Sequence, residues 1–107
     1  MKETHYLGGA YMIKHVVCFK LKDNSLAKKQ KAKDVLMSMK DKIDLIKDIE
    51  VGMDFLGSAR SYDIILIVTL ESREALDLYQ NDPYHCETVK TYMHAVRDAS
   101  VAVDYEL

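Results

Sequence analysis

The sequence predicts an α+β domain: a four-stranded antiparallel sheet with helices on one face, in the order βαββαβ. Three observations predict it. Residues from Met12 to Lys22 alternate in polarity, residues 32–43 repeat apolar positions at intervals of three and four, and YDIILIVTL is apolar at nearly every position. Period two is the signature of a strand and period 3.6 that of a helix, while a short unbroken apolar run reads as a strand covered on both faces.

The elements follow in order. In the first strand Ile13, His15, Val17, Phe19 and Leu21 share one face, and Lys14, Val16, Cys18 and Lys20 the other. Asn24 or Ser25 can cap the helix that follows, because a short polar side chain there accepts from an unpaired backbone N–H. The stripe of that helix is Ala32, Val35, Leu36, Met39 and Ile43. IEVGMDFLG gives a second strand with Ile49, Val51, Met53 and Phe55 on one side, and SARS leads into the central third strand. Ser72 can cap a short helix whose inner side is Ala75, Leu76 and Tyr79.

The stretch YQNDPYHCETV then holds the only proline. Pro83 cannot donate a backbone hydrogen bond and restricts the residue before it, so the helix stops near Asn81. Asp82 is a good cap and Pro83 a good first helical residue, so a new helix begins at once. Its stripe is His85, Val89, Tyr92, Met93 and Val96, with His94 off it. The last strand places Ala99, Val101, Val103 and Tyr105 on one face. This order is the ferredoxin-like arrangement. By parity the sheet's second face carries Val16, Cys18, Ile65, Ile67 and Ala102, an apolar patch that a second copy of the sheet would cover.

The totals bound the function. A chain of 107 residues, 49% hydrophobic and 30% charged, is one domain of globular composition. We divide it into residues 1–11, a loose arm or an upstream or tag segment, and residues 12–107, the folded domain. No apolar run approaches the ~18 residues of a membrane span, and the N-terminus lacks a signal peptide's apolar stretch, so a cytoplasmic location is expected. Cys18 and Cys86 form no CxxC pair, and reduced thiols are expected there. Residues 14–47 carry ten lysines against four acids, but most of the lysines lie away from the helical stripe and read as a solvated face. With no aromatic-rich basic groove, nucleic acid is not an expected partner.

Chemistry concentrates on three residues. His15 and His85 interrupt apolar faces, and Tyr79 ends another, so all three point into the space between sheet and helices. The break at Pro83 lets Tyr79 and His85 converge. His85 lies near the positive end of a helix dipole, and burial acts in the same sense, so a neutral imidazole able to accept a proton is expected. Tyr79 can donate to a developing oxyanion. Val17, Phe19 and Val89 would line the same space. Packing also accounts for such a trio, as core histidines bonded to neighbours, and a catalytic pair and a core cluster both remain open here. Two histidines fall short of a zinc ligand set, and no phosphate-cradling loop is present, so neither metal nor cofactor is expected.

The chain resembles the stress-responsive α/β-barrel (Dabb) family over about residues 12–107. The resemblance is carried by MIKHVVCFKLK, the glycine of FLGSARSYDI, the segment ESREALDLYQNDPYH and the terminal VDY. It implies a ferredoxin-like unit that pairs through its sheets into a dimeric α/β barrel, stress-associated, with a small apolar or carbonyl ligand. The family's plant branch holds cofactor-free polyketide cyclases, whose acid/base pair falls by motif on Tyr79 and His85, with the strand histidine on His15. The family often has a histidine where this chain has Asp82. A cofactor-free cyclase or lyase is thus the first expectation, and a non-catalytic protein that binds a ligand or partner the second. A monooxygenase is a remote third.

Overall fold

The computed structural model describes residues 12–107, so the arm at 1–11 and its His5 lie outside the described residues. The order is β1 (Ile13–Leu21), α1 (Leu26–Met37), β2 (Asp48–Met53), β3 (Ile64–Leu70), α2 (Arg73–Gln80), α3 (Lys90–Val96) and β4 (Arg97–Glu106). A 3-10 turn, Ser38–Asp41, extends α1, and a π-helical turn, His85–Val89, leads into α3. The strands form one antiparallel sheet in the order β2-β3-β1-β4. This is the ferredoxin-like fold.

The caps are side chains. Ser25 accepts from the Lys28 N–H and Ser72 from the Ala75 N–H, each satisfying a donor the first helical turn leaves free. Between the helices and the sheet lies one core, in which Val68, Leu70, Ala32, Leu36 and Met39 are almost wholly buried. Each large apolar side chain there contributes about 1.5–3 kcal/mol.

Four details depart from the sequence reading. The helical pattern to Ile43 is not one helix: α1 ends at Met37, and the 3-10 turn carries Met39 into the core. Phe55 lies beyond the end of β2 and is 95% exposed, because the chain turns there, with the Asp54 carboxylate accepting from the Gly57 N–H and Gly57 at φ 64°. The helix expected from Pro83 contains the π turn. Ala102 is not on the open face: it pairs with Val17, whose side chain faces the helices, whereas Val101 pairs with Cys18 and Val103 with Val16. Strand parity yields two sets of residues, and only pairing with β1 decides which set meets the helices.

Candidate functional site

The site is built at the junction of α2 and the π turn. α2 ends at Asn81, whose N–H and side-chain amide both donate to the Asp77 carbonyl, two residues before Pro83, which has no N–H to continue the ladder. The Asp82 carboxylate then accepts from the Tyr84 and His85 N–H groups at 2.8 and 3.2 Å, holding the start of the next helix. Within that helix the Lys90 N–H bonds to the His85 carbonyl, five residues back rather than four. One residue more than an α-turn is accommodated there, and such π turns recur at functional sites.

These elements bring three rings together. Tyr79, wholly buried, stands between two imidazoles: its ring centroid is 4.6 Å from that of His85 and 5.7 Å from that of His15. The Tyr79 hydroxyl donates to the Met39 Sδ at 3.6 Å, a weak acceptor. Burial, then the nearby Asp82 charge, pushes the phenol far above its ordinary pKa, so it stays a neutral donor. His85 Nδ1 lies 3.3 Å from the Gln80 carbonyl. A carbonyl only accepts, so Nδ1 carries the hydrogen and Nε2 keeps the lone pair. Burial, as the largest cause, holds the His85 pKa below 6.5. His15, buried on β1, meets the Asp104 carboxylate of β4 through its Nδ1.

A cavity of about 230 Å³ opens on these rings. Its apolar walls are Val17, Phe19, Leu36, Leu66, Val89 and Met93. Thus His15, Tyr79, His85 and the three expected lining residues, Val17, Phe19 and Val89, border one space. Lys90, His94 and Arg97 stand at its mouth. At ~30 Å³ per water molecule, the volume suits a ring with a short substituent. Among the described residues no group of three histidine, cysteine, aspartate or glutamate side chains is placed to hold a metal ion. Cys86 gives its thiol to the Gln80 carbonyl at 3.2 Å and not to the His85 ring.

Sequence reasoning missed Asp104, Met39 and the mouth. Asp104 stands in the quoted VDY, but its meeting with His15 depends on the β1–β4 register. Met39 read only as core. His94, set aside as lying off the stripe, is exposed but reaches the cavity rim.

Residues 13–107 match the family described as Stress responsive A/B Barrel Domain, Dabb. A comparison with curated proteins gave no match. Among solved structures, a dimeric protein of unknown function with a ferredoxin-like fold from Bacteroides fragilis is 25% identical, with a TM-score of 0.74 over 90% of this chain and 96% of that one. A protein from Arabidopsis thaliana is 26% identical, with a TM-score of 0.77 over 89% and 94% of the two chains. The hydroxynitrile lyase of Passiflora edulis is 16% identical, with a TM-score of 0.76 over 91% and 94%, a likeness of fold.

Proposed function

The chain belongs to the stress-responsive A/B barrel domain family, and from that premise we propose a cofactor-independent lyase- or cyclase-type enzyme acting on a small carbonyl compound. The observation that carries the reading is the common cavity of Tyr79, His85 and His15. In this mechanism the His85 Nε2 lone pair takes a proton from the carbon next to the carbonyl. The Tyr79 hydroxyl turns from the Met39 thioether to the carbonyl oxygen as negative charge develops there. Asp104 holds the His15 ring in place against Tyr79, a positioning role. The acid/base step is worth about 10²–10⁴-fold in rate and the oxyanion donor about 10²–10³-fold. That the same fold hosts an enzyme in Passiflora edulis agrees with this reading.

The protein is proposed to work as a cytoplasmic homodimer, paired through the open sheet faces, with the stress-linked role that the family's description suggests. The dimeric neighbour from Bacteroides fragilis supports the pairing. A second reading, a binder without turnover, is favoured by one observation: the Tyr79 hydroxyl points at a methionine sulfur and not at either imidazole. Deuterium exchange separates the two. Propiophenone in D2O should exchange its α-protons faster with the protein than with buffer, and His85→Ala should remove the excess. Binding without excess exchange would overturn the enzyme reading and leave the binder.

A further inference from the structure

The ionisable side chains at the mouth of the cavity are all basic. No aspartate or glutamate lines it, although the chain carries 17 acidic residues against 15 basic ones. At its mouth Lys90 and His94 are four residues apart on α3, and Arg97 follows three later where α3 gives way to β4. Such spacing aligns side chains along one side of a helix. Lys90 and His94 are exposed and Arg97 half-buried. Among the described residues the close contacts between a basic and an acidic side chain are His15–Asp104 and Arg73–Glu106, so Lys90 and Arg97 have no carboxylate partner there.

Cations without partners, set around a recess with low-dielectric walls, concentrate anions and orient them. We propose that the ligand is a small organic anion, with an apolar body in the cavity and a carboxylate or phosphate held at the mouth by Lys90 and Arg97. The body lies against Phe19, Leu66 and Met93, and the end that reacts reaches the Tyr79–His85 pair. Arg97 offers the planar fork that suits either oxyanion group, and Lys90 a point charge. The anion stays outside the apolar walls, where its desolvation would be costly. The inference rests on the pocket reading above and adds to it the polarity and direction of the ligand.

Three probes of similar size test it: phenylacetate, phenyl phosphate and the neutral phenylacetamide, titrated in low salt while the ring protons of His15 and His85 are followed by NMR. At least one anion is expected to shift those protons with a Kd about tenfold lower than the amide's. Which anion binds tighter tells the two head groups apart. The preference should shrink in 0.5 M salt, and Lys90→Gln with Arg97→Gln should bring the three Kd values within about twofold. Lys90→Gln alone, at an exposed position, should reduce the preference partway and serves if the double variant does not fold. An amide that binds as tightly as both anions, with the ring protons shifting, would overturn the anion but leave the pocket. Ring protons that no probe moves at millimolar concentration would overturn both.

Discussion

His85 is where charge, burial and position meet. Four neighbours act on it besides burial: the Gln80 carbonyl and Asp82 favour the imidazolium, while Lys90 and His15 oppose it. Burial comes first, and the folded pKa is below 6.5. Between 6.5 and that lower value the unfolded chain takes up a proton that the folded protein refuses. Stability is therefore present in full above 6.5 and falls as pH falls through the folded pKa. Melting temperature measured from pH 7.5 to 5 should drop less steeply for His85→Asn than for the wild type; equal slopes would remove His85 from the account. In the proposed reaction such a base would also stay deprotonated in mildly acidic buffer.

Tyr79 separates packing from chemistry. Its ring fills the space between two imidazoles, and its hydroxyl makes one weak bond to sulfur. Tyr79→Ala should therefore cost about 3–5 kcal/mol as other aromatic deletions from a core do, seen in urea denaturation. Tyr79→Phe should cost less than about 1 kcal/mol yet lower turnover about 10²-fold. A phenylalanine variant with full turnover would leave the ring a packing group only.

At the level of elements, the turn after α2 sets the geometry. Asp82→Ala should lose the cap at a cost of about 1 kcal/mol. Thr88, exposed within the π turn, offers a sharper test. Deleting it should turn the π turn into an α-turn with its flanks still in phase, because five residues at the wider π pitch and four at the α pitch both close about one turn. His85, Val89 and Met93 then keep their faces, and the expected variant melts near the wild-type temperature and still binds ligand. Lost binding in a well-folded variant would mean that the π turn itself aims His85.

Much of this was legible in the sequence, because it rests on local chemistry. Ser25, Ser72 and Asp82 announce their caps by residue type, and Pro83 announces the break between helices. The π turn left no mark, since one inserted residue in a short segment still reads as apolar spacing of three and four. Phe55 continues the alternation of β2, but Asp54 and Gly57 end the strand before it. The candidate site was legible as three residues on inward faces, which border one cavity. Asp104 was not, because its partner lies 89 positions away and only strand register joins them.

On the scale of the whole molecule, the open sheet face asks for a partner. β4 packs little against the helices: of its ten residues only Arg97 and Ala99 are partly buried. Its more apolar set turns outward, with Val101 51%, Val103 63% and Tyr105 47% exposed. Beside them on β1 lie Val16 and Cys18, and across β1 on β3 lie Ile67 and Ile65. The result is a continuous apolar surface spanning three strands. A monomer in water has no use for it, whereas a second copy related by a two-fold axis would bury both surfaces at once. Light scattering at micromolar concentration should give twice 12.3 kDa. Val103→Asp should shift the mass to the monomer, because a carboxylate without a partner resists burial at the interface. The fold should survive that change, since Val103 does not face the helices and the core holds none of β4. Circular dichroism of the variant keeps the test clean. A wild-type chain that scatters as 12.3 kDa, or a well-folded Val103→Asp chain that stays paired, would place the interface elsewhere.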